Sequence, residues 1–314
     1  MSLSSRATGI IIEPQARNNV LPMALCTKMI YERDPEAIIA FLPADHNIQY
    51  PDRLRAALDQ ATKVAAEVLD CIVTLGIPTA YPEPNYGHIH RGEPISGFES
   101  GAYPAYEVKR FHEKPPHEMA KQYTEADDWY WNGGYFIFRA STMLELISRA
   151  QPELDRIIRD NAAVLGMAKP TLENPVIDWA SSSAISGVYR NLPPQLRTSI
   201  DYALIEKAGR IATIPVEMGW NDLGGFNALS ELFKPDDLSN RTAPRTDGQT
   251  PHVLLPGCSN VSVFPSKRTV VCLDLKDIIV VDTPDALLVL PRSSSRRVSE
   301  VVELLNQRGW HNLL

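Results

Sequence analysis

The sequence predicts an α/β fold followed by a small β-rich domain, and three observations lead there. Over the first ~230 residues short apolar runs alternate with segments of helical period, the pattern of strands crossed over by helices in a mostly parallel sheet. Residues 234–251, KPDDLSNRTAPRTDGQTP, are polar and turn-rich with almost no apolar side chain. Beyond them come closely spaced β-rich runs and a single helical stretch. The expected organisation is a first domain over 1–235, a linker over 236–251 and a β-rich domain with a closing helix over 252–314.

The elements follow in chain order. Gly9–Ile12, Ala37–Leu42, Cys71–Gly76, Val108–Phe111, Gly134–Phe138 and Ile211–Pro215 read as strands. Pro51–Leu69 places Leu54, Leu58, Ala61, Ala65 and Val68 at steps of three and four behind Pro51 and Asp52, so it reads as an amphipathic helix. Met143–Ser148, Leu154–Leu165 and Ile200–Ala208 are further helices, the last with Ser199 as N-cap and Asp201 in a first turn that suits a negative charge. In the tail, Ser259–Phe264, Arg268–Leu273, Asp277–Val281 and Ala286–Leu290 read as strands, and Ser299–Arg308 as a helix stopped by Gly309. No repeat of 20 to 50 residues is visible.

Composition narrows the function classes. The 314 residues carry 31 Lys+Arg against 38 Asp+Glu, a net charge of -7, with 44% hydrophobic residues. That balance lacks the basic footprint of a protein that grips a nucleic-acid backbone, while a small anionic ligand needs only one local pocket. No apolar run is long enough to span a bilayer, and MSLSSRATG lacks the layout of a signal peptide. Cys26, Cys71, Cys258 and Cys272 form no C-x-x-C pair, and all but Cys258 sit in apolar runs, which implies a reducing, cytoplasmic compartment.

Four polar clusters stand at the ends of the expected strands, where open α/β sheets place ligand groups. In Phe41–His46, Asp45 follows a strand and either holds a hard cation such as magnesium or caps the next turn; His46 is a structural neighbour without a second His or Cys at metal spacing. In Phe111–Pro115, Glu113 and Lys114 line one pocket only if the pleat is broken, by Pro115 and Pro116, and otherwise form an exposed charge pair. In Trp129–Phe136, Asn132 offers donors and an acceptor to hydroxyl groups beside aromatics and two glycines, although N-G-G is also a common turn. In Gly219–Gly225, Asp222 sits in a glycine-framed turn. Asp45 and Asp222 make a sensible magnesium site if the fold brings them together.

Taken in order, these clusters resemble the mannose-1-phosphate guanylyltransferase family, or GDP-mannose pyrophosphorylases, within the sugar-phosphate nucleotidyltransferases. IIIEPQARN from Ile10 looks like the family's I-L-E-P-x-x-R-N, FLPADHNI its L-P-A-D-H-x-I, LGIPTAYPEPNYGHI its G-I-x-P-T-x-P-E-T-G-Y-G-Y-I, and FHEKP its F-x-E-K-P. YWNGGYFIFRAS, SIDYALIEKAGR and GWNDLGGFNAL continue the match, and DIIVVDTPDALLVLPRSSSRRV is similar to the region after the family's linker.

The resemblance implies a Rossmann-like nucleotidyltransferase sheet and attack of mannose 1-phosphate on the α-phosphorus of GTP, giving GDP-mannose and pyrophosphate. It also implies residue roles: Asp45 and Asp222 hold Mg2+, Glu113 and Asn132 bind sugar hydroxyls, Lys114 binds the sugar phosphate, Gly87 lies against the substrate, and Arg17 and Asn18 stand near the base. Asp45, Lys114 and Asp222 are the expected catalytic groups. Self-association through residues 252–314 is the expected quaternary contact. The family's front end, a strand and a glycine-rich loop G-G-x-G-T-R-L-x-P-L that cradles the triphosphate, has no counterpart here. The expected sheet is therefore N-terminally incomplete, with exposed strand edges and impaired turnover. Two other readings fit: a non-catalytic homologue that binds sugar phosphate or sugar nucleotide, or pairs with an active subunit, and a piece of a longer enzyme.

Overall fold

The computed structural model describes residues 9–167 and 176–313. The chain forms two compact units, one running to Ala44 and from Ile48 to Gly219, the other made of Asp45–Asn47 and the chain from Trp220 onward.

The first unit contains β1 (Ile10–Ile12), α1 (Val20–Tyr31), β2 (Ile38–Phe41), the short β3 (Asn47–Ile48) at its border, α2 (Pro51–Glu67), β4 (Ile72–Pro78), β5 (His88–Pro94) and β6 (Tyr106–His112). It continues with α3 (His117–Thr124), β7 (Trp129–Arg139), α4 (Ala140–Ala150), α5 (Pro152–Asp160), α6 (Ala162–Met167), β8 (Val176–Asp178), α7 (Ser183–Arg190), α8 (Ile200–Ala203) and β9 (Ile211–Pro215). Its six-stranded sheet has the order β2-β7-β4-β9-β6-β5.

The α/β class is as expected, but the sheet is not mostly parallel. Only the β4–β9 ladder is parallel; β2–β7, β4–β7, β6–β9 and β5–β6 are antiparallel. The reason is local. β5 and β6 are joined by residues 95–105 without a helix, too short a link for the helical crossover a parallel pair needs. β5, with the sequence HIHRGEP, is a polar edge strand and carries no apolar alternation to announce it. β1 lies outside this sheet and pairs in parallel with β8, leaving Ile10 and Ile12 about half exposed at 53% and 46%.

Helix α1 was not legible as a helix because it is apolar on every face, which erases the 3.6-residue period. Its Val20, Leu21, Met23, Ala24 and Leu25 are buried in one cluster with Phe136 and Phe138 of β7 and Met143 and Ile147 of α4. Each such side chain removed from water contributes roughly 1.5–3 kcal/mol. The expected helix over Leu154–Leu165 is two helices, α5 and α6. The one over Ile200–Ala208 is α8 followed by a tight turn at Ile205–Lys207. Ser199 stands at the N-cap position but makes no capping bond; the Ile200 N–H donates to Asn19 Oδ1 at 2.8 Å instead.

The second unit begins earlier than the composition indicated. It takes in β10 (Trp220–Asn221) and α9 (Phe226–Ser230), and the polar run contains β11 (Arg241–Thr242), which pairs in parallel with β13 (Ser262–Phe264). That run is the first corner of the β-rich unit. β12 (Val253–Leu254) pairs with β14 (Val270–Val271), β13 with β15 (Ile278–Asp282), all in parallel, and β16 (Leu287–Pro291) closes antiparallel to β15.

The chain thus coils, aligning strand on strand about every twenty residues, a short solenoid. The sequence hid this repeat because it lives in backbone pairing and corner geometry. Ser239, Asn260, Asp274 and Asp277 have positive φ at the corners, and the Asn240 carboxamide accepts from Val261 N–H at 2.9 Å and donates to Cys258 O at 3.0 Å. Cys258, Val261, Val263, Cys272 and Val280 fill the interior, so Cys258 is also a core thiol. α10 (Val298–Gln307) ends before Gly309, whose φ is +71°.

Asn19, not Ser199, satisfies the first amide of α8. Asn19→Ala is expected to cost about 1–2 kcal/mol and Ser199→Ala under about 0.5 kcal/mol, measured by urea unfolding. The opposite order would restore Ser199 as the cap.

Candidate functional site

Asn132 is set in β7 by a bulge. Thr74 of β4 faces Phe136 and Gly76 faces Asn132, so β7 carries extra residues through Gly133 and Gly134. The N-G-G run is therefore an irregularity inside a long strand and not a turn before it. Gly134 takes φ +72°, and its N–H donates to Asn132 Oδ1 at 3.1 Å. The same oxygen accepts from the Thr74 hydroxyl at 3.0 Å, and Nδ2 donates to Asp201 Oδ1 at 2.9 Å.

Gly87, just ahead of β5, lies against this amide; its carbonyl accepts the Asn132 backbone N–H at 2.7 Å. A Cβ at Gly87 would stand 2.6 Å from Glu113 Oε2 and 3.1 Å from Asn132 Cβ, so only a residue without a side chain keeps this space open.

Glu113 and Lys114 follow the end of β6, and the pleat is broken there as a shared pocket requires. The agent is Lys114 itself, held at φ +48° in the left-handed region, rather than the two prolines after it. For a side chain with a Cβ this costs roughly 1–2 kcal/mol. It leaves the Lys114 ammonium half exposed, 3.9 Å from a Glu113 carboxylate that is only 8% exposed. The Glu113 backbone N–H donates to Glu206 Oε1 at 3.1 Å. Burial pushes the Glu113 carboxyl up to about 8, Asp201 adding to the rise, Lys114 opposing it and Glu206 adding further. Burial likewise raises Asp201 against the pull of its hydrogen bonds and of Lys114. Gly87, Glu113, Lys114, Asn132 and Asp201 thus make one cradle of amide, ammonium and carboxyl groups, suited to hydroxyls beside an anion.

Asp201 and Glu206 were missed as site residues. Asp201 reads as a helix-dipole residue, yet both lie in SIDYALIEKAGR, one of the matched runs. Trp129 and Trp131 serve packing: Trp129 stacks between Tyr123 and His90, and buried Trp131 meets Tyr81 and Tyr86 edge-on.

In the second unit Asp45 and Asp222 come near one another around His46. Burial lowers the His46 imidazole, and both carboxylates oppose that shift. His46 Nδ1 accepts from the Trp220 indole N–H at 2.9 Å, a structural role. Asp222 Oδ1 accepts Gly224 N–H at 3.0 Å, and Leu223 between them has φ +51°. Among the described residues no group of three or more His, Cys, Asp or Glu is placed to hold a metal ion. Two carboxylates still suit magnesium, which keeps several waters and takes further oxygens from phosphates.

Arg17 and Asn18 stand at the start of α1. The Arg17 guanidinium donates to Tyr189 O at 3.3 Å and Gln15 Oε1 at 2.5 Å, and Asn18 has φ +63°. Asn18 borders a pocket of about 260 Å³ with Ile11, Cys26, Phe41 and Trp179 among its walls.

The family model described as nucleotidyl transferase matches residues 4–237. The chain belongs to the nucleotidyl transferase family. A second model, the MannoseP isomerase/GMP-like beta-helix domain, matches residues 257–305, in the solenoid. Mannose-1-phosphate guanylyltransferase of Escherichia coli (strain K12) is 31% identical over 98% of this chain and 60% of its own length. Alginate biosynthesis protein AlgA of Pseudomonas syringae pv. tomato is 30% identical over 98% of this chain and 58% of its own. This nucleotidyl transferase chain thus spans about 60% of the length of the curated relatives it matches. The crystal structure of mannose-1-phosphate geranyltransferase from Thermus thermophilus superposes with a TM-score of 0.74 at 27% identity, over 94% of this chain and 77% of that one. The Escherichia coli relative bears the name that the ordered motifs pointed to.

Glu113 gives a pH signature. Between the ordinary value of 4.5 and about 8 the folded chain holds a proton that the unfolded chain has released. Its favourable contribution is complete below the lower value and is lost as pH rises through the upper one. In denaturant unfolding between pH 5 and 8, wild type should lose stability relative to Glu113→Gln, by at most about 1.4 kcal/mol per pH unit. Parallel profiles would contradict the buried carboxyl.

Proposed function

We propose that the chain performs the acceptor side of mannose-1-phosphate guanylyltransferase chemistry, binding mannose 1-phosphate in the Gly87–Glu113–Lys114–Asn132 cradle for attack on the α-phosphorus of GTP. The observation that carries this reading is Lys114, kept in a strained left-handed conformation that places its ammonium beside Glu113 and within the electrostatic reach of Asp201. Strain retained at a polar cradle points to use of the side chain there.

In this reading Lys114 binds the sugar phosphate, and Glu113 and Asn132 take vicinal hydroxyls. A phosphate oxygen of mannose 1-phosphate forms a bond to the GTP α-phosphorus as the bond to pyrophosphate breaks, leaving GDP-mannose. The nucleophile is already an anion, so the chain's task is to orient it and neutralise charge. Asp45 and Asp222 would hold Mg2+, which when bound supplies that neutralisation on the phosphates. Arg17 and Asn18 serve the nucleotide, with the pocket beside Asn18 as its apolar wall.

Self-association through residues 252–314 is supported by exposed Leu287, Val289, Val301, Val302, Leu304 and Trp310. No helix among the described residues is long and apolar enough to cross a membrane. A cytoplasmic setting is supported by four free thiols, of which Cys26 and Cys71 are pushed up to about 12 chiefly by burial.

Calorimetry with mannose 1-phosphate tests the cradle. Lys114→Gly should keep or raise stability by about 1 kcal/mol, because glycine is unstrained at this φ, yet weaken binding at least about ten-fold. Binding of Mg2+ should be lost in Asp222→Asn. Unchanged affinity for mannose 1-phosphate in both Lys114→Gly and Asn132→Ala would refute the assignment.

A further inference from the structure

We propose that Asp201 is the positioning residue of this cradle: its buried carboxylate holds the Asn132 carboxamide so that the second Nδ2 hydrogen points into the space above Gly87. The inference rests on the sugar-phosphate reading for its ligand but on donor and acceptor chemistry for its geometry. The Gly134 N–H and the Thr74 hydroxyl both meet Asn132 Oδ1, and a backbone N–H only donates, so that end of the amide is oxygen. Nitrogen is then at the other end, where Asp201 Oδ1 takes one of its two hydrogens at 2.9 Å. The carboxamide is planar, so pinning one hydrogen aims the other.

The direction of that second hydrogen matters because Nδ2 lies 3.4 Å from the point a Gly87 Cβ would occupy, and Glu113 Oε2 lies 2.6 Å from the same point. That point is itself within bonding distance of Gly87 Cα, but both groups border the space beyond it that the missing side chain leaves open, and a hydroxyl entering that space meets a donor from Asn132 and a carboxyl oxygen from Glu113. A sugar hydroxyl is both acceptor and donor and satisfies the pair. Asp201 is itself anchored, since it sits in the first turn of α8, whose leading amide is bound by Asn19. The charged neighbours of the Glu113–Asp201 pair are Lys114 and Glu206, with the Tyr202 hydroxyl beside them. Burial, Asp201 and Glu206 raise the Glu113 carboxyl to about 8, and Asp201 is raised by burial as well, so the acceptor role of its Oδ1 rests on the hydrogen bond itself.

The test uses the full chain without ligand first. Side-chain amide resonances of Asn132, assigned by their loss in Asn132→Ala, should show one shifted, exchange-protected hydrogen that Asp201→Ala abolishes and Asp201→Asn partly retains. Mannose 1-phosphate affinity should fall about ten-fold in Asp201→Ala, recover in Asp201→Asn, and show no further loss when Asp201→Ala is added to Asn132→Ala. Removing the neighbouring charge in Asp201→Asn should also move the Glu113 titration to lower pH. Should Asp201→Ala fail to fold, Asp201→Asn against wild type decides by the resonance and the titration. Unchanged Asn132 resonances, or an equal loss of affinity with and without Asn132, would overturn the proposal. If wild type binds no mannose 1-phosphate, the sugar reading falls, while the resonances still decide what Asp201 does.

Discussion

The Asn132 carboxamide is the joint on which the candidate site depends. It lies in the interior of β7, where a side-chain amide must find partners for its oxygen and both hydrogens or carry a desolvation penalty of roughly 1–3 kcal/mol for a group left unmet. Its partners come from β4, from the bulge of its own strand and from α8, three segments far apart in sequence. Satisfying this one amide therefore fixes Thr74, Gly134 and Asp201 relative to each other, while the Asn132 backbone N–H holds Gly87. The bulge matters equally, because it brings the N–H of Gly134, at φ +72°, onto Asn132 Oδ1.

A second constraint is backbone strain. Lys114 and Leu223 are non-glycine residues at positive φ within polar clusters singled out by their chemistry, and Asn18 is another, at the position the resemblance places near the base. Asparagine tolerates this conformation by bonding to its own neighbourhood, and Asn18 Oδ1 does accept the Asn19 N–H. Lysine and leucine have no such relief. A glycine would be cheaper at position 114, so the ammonium must serve something that a bare backbone does not.

Much of this was legible in the sequence, for identifiable reasons. Ile211–Pro215 is a strand over the span its apolar run indicated, and Pro51 with Asp52 marked the start of α2. Glu113 and Lys114 were visible as a charge pair where an apolar strand ends, and Asn132 as an amide among aromatics and two glycines. The features that escaped are those set by distant partners. Asp201 looks like a dipole residue until Asn132 is placed beside it, and Ser199 looks like a cap until Asn19 arrives from 181 positions away. α1 escaped because burial on all faces leaves no period, and the solenoid because its repeat is one of backbone register.

Family membership follows from matched length, whereas the cradle follows from chemistry at a few atoms. A crystal structure of this chain with mannose 1-phosphate tests the link between them most directly. The predicted result is a sugar ring over Gly87, hydroxyls on Glu113 and Asn132 Nδ2, and the phosphate on Lys114 Nζ. A sugar phosphate bound elsewhere, with Lys114 still paired to Glu113 and the space above Gly87 holding only water, would contradict it.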